Sequence, residues 1–394
     1  MGHGHGGLPP TLLLLLCLLV LSVQAAARKH SHRAGDHTDT SGGGSNGSSP
    51  SPTTMTQQLW VFGDSYADTG NLGDLGRELT HAWYDPYGAT FPGRPTGRFS
   101  DGRVLTDFIV SVCCLEIGIG TMWHDAASAM GMPTPVAYKL RRGAARGLLA
   151  RGMNFAVGGA GVLDTGNFQR NISAQIDLFQ AQRQHPAAGA AAHGGGVALV
   201  VVSGNDYSYA ADKDNSTSAA IAYIPTVVRE LGQQLRRLRD DVGMRRVVVT
   251  NLHPLGCTPL FTRALNYSGC DPLANAGAAQ HNAALQSVLA ALDPANRTFF
   301  LLDLNAPFAA FADAPPSAAA ASRFDEPRRP CCETFLSTAG GGYCGQQDDD
   351  GRRQYALCDD PSKHFYWDNV HPTQAAWATV AETFRPKIRE FLSN

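Results

Sequence analysis

The chain has 394 residues, and its 32 lysines and arginines nearly balance its 34 aspartates and glutamates, leaving a formal net charge of −2. It lacks the dense positive charge that binding to nucleic acid or to an anionic membrane requires, so we expect neither partner. The 43% of hydrophobic residues is ordinary for a globular protein, and a chain of this length can bury a sizeable core.

The N-terminal segment has the pattern of a secretory signal peptide. An apolar run at residues 11–23 is followed by three alanines at 25–27, the usual order of an apolar region and a cleavage site. A transmembrane anchor is the alternative, but the run is shorter than the roughly 20 apolar residues that span a bilayer. We therefore expect residues 1–27 to be removed and the protein to be secreted to the extracellular space or cell wall, without a stable membrane span.

Residues 28–57 are rich in His, Ser, Gly and Thr, and this composition predicts a disordered linker because it cannot bury a core. Residues 43–47 match the G-x-S-x-G pattern of a nucleophile elbow. That motif needs a strand before its serine and a helix after it, and the linker offers neither. We therefore expect no active site in this segment.

Two further features agree with export. Asn-x-Ser/Thr sequons, the acceptors of N-glycosylation, occur at Asn46, Asn171, Asn215, Asn266 and Asn296. Single sequons arise by chance, so which of them carry a glycan is left open. Eight of the nine cysteines follow the signal peptide, an even number that suits disulfides in an oxidising compartment.

The cysteines also bear on metal binding. Cys257 and Cys270 are expected to close a short loop, whereas the pairing within a second cluster is left open: Cys331, Cys332, Cys344 and Cys358. None of them has the C-x-x-C spacing of a zinc or redox site. We therefore predict no metal and no cofactor.

From residue 58 onward, buried strands alternate with amphipathic helices. The predicted strands cover residues 58–62, 197–202, 246–250 and 298–304. The predicted helices cover residues 218–242, 275–292 and 373–392. This alternation is typical of a parallel sheet with helices on both faces, in which working residues gather at the carboxyl ends of the strands. Ser65, Asn205 and the loop at 251–258 are therefore expected at one edge of the sheet.

Ser65 is the candidate nucleophile. It lies in the stretch 61–71, directly after the first strand, and a serine hydroxyl reacts only when a neighbouring base removes its proton. His371 is the candidate base, and Asp368, three residues earlier, is close enough in the chain to orient the imidazole and stabilise its charged form. Taken singly, Ser65 and Asp368 could each be a helix cap, and His371 could be a structural histidine. Their combination favours catalysis.

Developing negative charge on a substrate needs hydrogen-bond donors that are already in position. Asn205, just past a buried strand, offers a side-chain amide. Gly158 and Gly159, in the glycine-rich stretch 154–161, offer backbone N–H groups that a substrate can approach closely.

These four blocks, in this order, resemble the plant branch of the GDSL esterase/lipase family of SGNH hydrolases. The resemblance runs from about residue 58 to the C-terminus and includes the stretches 97–103 and 251–259. It implies a three-layer α/β/α sandwich with a mostly parallel, flavodoxin-like sheet. It also implies a triad of Ser65, Asp368 and His371, and an oxyanion hole made by the Ser65 N–H, the Asn205 side chain and the N–H of Gly158 or Gly159, of which Gly159 is favoured.

The chain departs from the family pattern at three places. Tyr66 replaces the leucine of the motif, and Ser203 replaces the first glycine of the G-x-N-D block. In addition, residues 112–128 interrupt a continuous helix-to-loop pattern. We interpret this segment as a translated retained intron, and a genuine surface insertion is the alternative.

The sequence thus predicts an esterase or lipase domain over residues 58–394 that forms an acyl-enzyme on Ser65. An acyltransferase would use the same residues, and a non-catalytic binding glycoprotein is a rival of another class. Lipid esters, acetylated polysaccharides and phenolic esters all stay open as substrates, and the oligomeric state is left open too.

Overall fold

The structure is a computed structural model that describes residues 58–113, 134–166, 169–184, 196–313, 323–335 and 342–393, with residues 110–113 as backbone alone. The predicted signal peptide, the linker and Asn46 lie outside the described residues. So does the segment 112–128, apart from its first two positions. These predictions are therefore not tested by the fold.

A six-stranded parallel sheet forms the centre of the domain, in the order β2-β3-β1-β4-β5-β6. The strands are β1 (Gln58–Gly63), β2 (Val136–Ala137), β3 (Gly152–Asn154), β4 (Gly196–Val201), β5 (Arg246–Thr250) and β6 (Phe299–Leu302). The four predicted strands are confirmed. β2 and β3 have only two and three residues, too few for a periodic pattern, so the sequence did not predict them.

Helices cover the sheet. They are α1 (Leu105–Cys113), α2 (Arg146–Leu149), α3 (Ile172–Gln184), α4 (Asn205–Asp214), α5 (Thr217–Asp240), α6 (Pro259–Thr262), α7 (Pro272–Leu292), α8 (Asn305–Ala312) and α9 (Gln374–Ser393). Short 3-10 helices occupy His81–Trp83, Tyr138–Gly143, Leu255–Cys257, Arg263–Leu265 and Pro361–Lys363. None of the helices that the structure describes is long and apolar enough to cross a membrane.

The three predicted helices are confirmed, with small differences at their ends. α7 begins at Pro272, three residues before the expected start, because Asp271 caps it by accepting a hydrogen bond from the Ala274 N–H at 2.8 Å. Proline is favoured at this first helical position since its missing N–H is not needed there. The predicted start at residue 275 was based on amphipathic spacing, which begins only after this first turn.

Alternate residues of each strand face opposite layers, as the period of two requires. On β1, Leu59 and Val61 pack into a cluster with α1, α8 and α9, whereas Trp60 and Phe62 pack against α3, α5 and α7. Each fully buried Val, Leu or Phe side chain stabilises the fold by about 1.5–3 kcal/mol. The predicted three-layer α/β/α fold is confirmed.

The strand order determines where a site can lie. Without the two-residue β2, the order β3-β1-β4-β5-β6 is that of a flavodoxin-like sheet, in which connections leave the first strand in opposite directions. A crevice opens at the carboxyl ends of the strands at that point. Ser65 follows β1 and Asn205 follows β4, so both lie at this crevice, as expected from the sequence.

Three disulfides link six of the described cysteines: Cys257–Cys270, Cys331–Cys358 and Cys332–Cys344. The first confirms the expected loop, and the other two resolve the pairing that the sequence left open. They fasten the hairpin of β7 (Cys332–Thr334) and β8 (Tyr355–Leu357). The backbone amides of Cys331 and Cys332 donate to the carbonyls of Tyr366 and Trp367, so the disulfide-bonded hairpin holds the chain just before Asp368.

Candidate active site

Ser65, His371 and Asp368 form a continuous hydrogen-bonded chain. The Ser65 Oγ lies 2.9 Å from His371 Nε2, and His371 Nδ1 lies 2.8 Å from both carboxylate oxygens of Asp368. All three residues are buried, yet Ser65 and His371 line a cavity of about 920 Å³. The structure therefore brings together the three residues that the sequence singled out, although 306 positions separate the serine from the histidine.

Asp368 is surrounded by donors. Besides His371 Nδ1, it accepts hydrogen bonds from the backbone N–H groups of Val370 and His371 and from the Tyr87 hydroxyl at 2.7 Å. Burial alone would raise the pKa of Asp368, but His371 and these hydrogen bonds lower it to about 2. The carboxylate is thus ionised at neutral pH, keeps the proton of the imidazole on Nδ1, and leaves Nε2 as an acceptor for the Ser65 hydroxyl.

The turn that presents Ser65 is held by Asp64. Its carbonyl accepts from the N–H groups of Ala67 and Asp68, and its carboxylate accepts from the Tyr66 N–H and from both the N–H and hydroxyl of Ser203. Burial raises the pKa of Asp64 to about 6, and the hydrogen bonds from Ser203 and Tyr66 limit that rise. Ser203, a departure from the family pattern, therefore joins the turn after β1 to the loop after β4.

Gly63 makes the turn sterically feasible. Its φ is +145°, and a Cβ at this position would stand 2.3 Å from the carbonyl oxygen of Val201. Only glycine fits so close to the neighbouring strand. The chain therefore turns directly after β1 and places Ser65 in the lining of the cavity.

The two candidate glycines differ in what their amides contact. The Gly158 N–H donates to Asp68 at 2.8 Å and is therefore engaged. Gly159 has a φ of +79° and a nearly open side, with Gln169 Cγ at 3.7 Å as the nearest atom to a built Cβ. Among the residues that the structure describes, no acceptor binds the N–H of Gly159 or of Ser65.

Asn205 is the third candidate donor. Its side-chain amide donates to the carbonyl of Ala160 at 2.9 Å, which fixes its orientation and leaves the second N–H of the amide for another acceptor. It lines the cavity together with Ser65 and Gly159. These donors are suited to stabilising an oxyanion next to the Ser65 hydroxyl.

Two aspartates that the sequence analysis gave no role hold the glycine-rich stretch and the two residues after it. Asp68 accepts from the N–H groups of Gly70, Asn71, Leu72 and Gly158. Asp206 accepts from those of Val162 and Leu163. Asp68 lies three positions after Ser65 and Asp206 lies one position after Asn205, both inside blocks already recognised. This proximity to the candidate site residues is the sequence feature that could have identified them.

Tyr66 links the nucleophile turn to the loop of His371. Its hydroxyl donates to the Val370 carbonyl at 2.7 Å and lies 2.8 Å from His253 Nε2. Burial raises the pKa of Tyr66 well above its ordinary value, so the hydroxyl keeps its proton and can donate. The tyrosine that replaces the motif's leucine thus fixes the position of the residue next to His371.

We predict that Tyr66→Phe lowers the free energy of unfolding by about 1–3 kcal/mol, because His253 and the Val370 carbonyl lose a buried partner. It should also lower kcat by up to about 100-fold, since the loop holding His371 loses an anchor. Urea titration and steady-state kinetics measure both effects. Tyr366→Phe is the matched control, because Tyr366 is equally buried and its hydroxyl has no hydrogen-bond partner among the described residues. Equal stability of the two variants would contradict the prediction.

A buried histidine predicts acid destabilisation. His281 on α7 is fully buried, with Nδ1 2.6 Å from the Tyr207 hydroxyl, and burial lowers its pKa from 6.5 to about 4. The unfolded chain takes up this proton near pH 6.5 and the folded chain does not. The stabilisation is therefore present above pH 6.5 and is lost as the pH falls towards 4.

Between pH 7 and pH 5, the free energy of unfolding of the wild type should fall by about 2 kcal/mol more than that of His281→Gln. Comparing how the free energy of unfolding changes with pH in the two proteins cancels the contributions of the other titrating groups, which both proteins share. Parallel pH dependences in urea titrations would show that His281 carries no such linkage.

The predicted glycosylation sites differ in exposure. Asn215, Asn266 and Asn296 are exposed and have positive φ values. Asn171 is half-buried, and its side chain accepts from the Ala174 N–H at the start of α3. Modification at these sites stays a prediction.

One cluster has ligand-type side chains at short range. Cys257, Cys270 and Asp313 lie within 4.8 Å of one another. The two sulfurs form a disulfide, so they are not thiolates that a metal could bind. This group therefore gives no support for a metal site.

Comparison with known proteins agrees with this geometry. The family described as GDSL-like Lipase/Acylhydrolase matches residues 59–384. GDSL esterase/lipase At5g03610 of Arabidopsis thaliana is 36% identical over 338 residues, covering 84% of this chain and 86% of the relative. GDSL esterase/lipase At3g09930 of the same plant is 35% identical, covering 84% and 88%. Acetylajmalan esterase of Rauvolfia serpentina is 30% identical, covering 84% and 85%. The chain therefore belongs to the GDSL lipase/acylhydrolase family and is a serine hydrolase that acts on ester bonds.

Proposed function

We propose that the protein is a secreted esterase or lipase that hydrolyses carboxylic esters through an acyl-enzyme on Ser65. The observation that carries the proposal is the unbroken chain from Ser65 Oγ to His371 Nε2 at 2.9 Å and from His371 Nδ1 to Asp368 at 2.8 Å. A nucleophile, a base and a group that orients the base stand in the arrangement that acyl transfer requires.

In the first step, the Ser65 oxygen forms a bond to the ester carbonyl carbon while its proton passes to His371 Nε2. The carbonyl oxygen becomes an oxyanion, and the N–H groups of Ser65, Gly159 and Asn205 are suited to bind it. One donor of this kind is worth about 2.7–4 kcal/mol in the transition state. Asp368 stabilises the imidazolium that forms.

In the second step, the bond to the alcohol oxygen breaks and the alcohol leaves with the proton from His371. Water then enters, gives a proton to the same Nε2, and attacks the acyl-enzyme carbonyl. Collapse of this second intermediate releases the carboxylic acid and returns the proton to Ser65. Every proton that moves passes through one nitrogen, so no metal or cofactor is needed in these steps.

Export is part of the proposal. The signal-peptide pattern at residues 1–27 supports it, and so do three disulfides, which persist in oxidising compartments. The exposed sequons at Asn215, Asn266 and Asn296 fit N-glycosylation on the same route. A shift in mass after enzymatic removal of N-glycans from the secreted protein tests this point.

The test of the reaction is turnover of p-nitrophenyl acetate by the secreted protein, with the products identified by chromatography. Release of acetate together with nitrophenol supports hydrolysis. Transfer of the acetyl group to an added alcohol in preference to water would favour an acyltransferase instead. A folded protein that releases no nitrophenol from any ester would overturn the proposal.

A further inference from the structure

One side of the cavity is an apolar cleft between two helices. Ala220, Ile221 and Ile224 of α5 line it, facing Ala274, Gly277 and Ala278 of α7. Each set repeats with helical spacing, so each presents a single face. A Cβ built on Gly277 would meet only Ile221 Cγ1, at 3.9 Å. The small residues of α7 therefore keep open a gap that larger side chains would fill.

The cleft is continuous with the nucleophile. Asn205 is the first residue of α4, and the following turns of that helix contribute Ser208 and Ala211 to the same cavity wall. Leu255 and Phe261 add to the apolar lining. A substrate group bound beside Asn205 thus has a direct path into the gap between α5 and α7.

The rim of the cavity exposes large apolar side chains. Leu75, Leu79, Leu260 and Leu273 all line the cavity, with exposed fractions of 62%, 70%, 51% and 51%. Half of the large hydrophobic residues that are exposed in the described parts of the chain belong to this one rim. Apolar groups clustered in this way at a cavity mouth indicate contact with an apolar ligand.

Polar side chains line another part of the cavity. They include Asn71, Glu78, His81, Gln169 and Arg170. The ring centroids of His371 and Phe99 are 4.8 Å apart, and those of Phe99 and His81 are 5.4 Å apart, so His81, one of these polar groups, lies near the imidazole. A leaving alcohol must take its proton from that imidazole, so it departs on the side of the cavity where His81 lies.

We infer that the substrate is an ester of an aliphatic acyl chain with a polar, hydroxyl-bearing alcohol, and that the acyl chain lies in the cleft between α5 and α7. The inference rests on the proposed acyl-enzyme at Ser65. A cavity of about 920 Å³ is far larger than an acetyl group needs; it matches the ~300–1,000 Å³ of pockets that enclose drug-sized ligands.

The chain-length profile follows from this arrangement. Each methylene that enters the cleft should raise kcat/KM by up to about fourfold, equivalent to ~0.8 kcal/mol, until the cleft is filled. A p-nitrophenyl series from acetate to decanoate measures this for the acyl side. A matched series of acetate esters from ethyl to decyl measures it for the alcohol side and should give a flat profile.

Gly277→Leu tests the cleft itself. The new side chain should fill the gap and lower the decanoate-to-acetate ratio of kcat/KM at least about tenfold. Ala276→Leu is the matched control, because Ala276 lies on the same helix, is exposed and does not line the cavity. It should keep the wild-type ratio. Gly277→Ala should raise Tm, since a helical glycine becomes alanine, and should lower the ratio less than leucine does.

The outcomes separate the two proposals. If no ester is hydrolysed, the proposed function fails. If acetate is hydrolysed but kcat/KM does not change along the acyl series, the assignment of the acyl chain to the cleft fails while the proposed esterase activity stands. The same conclusion follows if kcat/KM changes with chain length only in the alcohol series. A Gly277→Leu protein that is folded and keeps the wild-type ratio also overturns the assignment.

Discussion

Replacing Ser65 with alanine should lower kcat for ester hydrolysis by about five to six orders of magnitude, the loss seen when a serine protease loses its nucleophile. The substitution removes one oxygen atom, so no acyl-enzyme can form. The oxyanion donors and the cavity stay intact and account for whatever slow turnover is left.

The fold should tolerate this change. Among the described residues, the Ser65 hydroxyl makes a hydrogen bond only with His371, and the turn is held instead by Asp64. We therefore expect Tm to stay close to that of the wild type, so that lost activity reports on chemistry. Ser287→Ala is the matched control, because Ser287 is exposed on α7 and its hydroxyl bonds only the carbonyl of Ala283. A Ser65→Ala protein with more than a hundredth of wild-type kcat would exclude Ser65 as the nucleophile.

The sequence predicted the fold where its elements are long. β1, β4, β5 and β6 have apolar runs that are buried or partly buried, and α5, α7 and α9 have amphipathic spacing over 20 residues or more. β2 and β3 have neither, because their two and three residues owe their strand geometry to pairing with one another and with β1. Such pairing depends on residues that are distant in the chain and leaves no local signal.

In the candidate site, too, the residues with a local sequence pattern were predicted, whereas the contacts between distant residues were not. Ser65, Asn205, Asp368 and His371 lie in recognisable blocks. The hydrogen bonds that hold them follow no such pattern: the Tyr87 hydroxyl donates to Asp368 across 281 positions, and the Ser203 hydroxyl donates to Asp64 across 139. Composition and spacing contain no record of these contacts, whereas the tertiary structure makes them direct hydrogen bonds.

Gly158 and Gly159 illustrate why the oxyanion donor could not be identified from spacing alone. Both have the backbone freedom that an oxyanion donor needs, so the sequence favoured Gly159 by the family resemblance. The structure adds that the Gly158 amide is engaged by Asp68, while the Gly159 amide has no acceptor among the described residues. The position of a third side chain, Asp68, therefore distinguishes the two amides.

The second large effect is expected for Asp368→Asn, which should lower kcat by about 10⁴-fold, the loss measured when a triad aspartate becomes asparagine elsewhere. The wild-type carboxylate accepts hydrogen bonds from Val370, His371 and Tyr87 and donates none. Asparagine has a single acceptor oxygen. We expect the backbone amides of Val370 and His371 to retain that oxygen.

The NH₂ group that the substitution introduces then faces His371 Nδ1, which must give up its proton to accept from it. The proton of the neutral imidazole moves to Nε2. Protonated Nε2 can no longer accept the proton of Ser65. The imidazolium also loses the nearby carboxylate, whose attraction to His371 helps to lower the pKa of Asp368 to about 2 in the wild type. Asp360→Asn makes the same chemical change at an exposed helix cap and should leave kcat unchanged. If Asp368→Asn kept more than a tenth of wild-type kcat, the tautomer of His371 would have to be fixed by some other group.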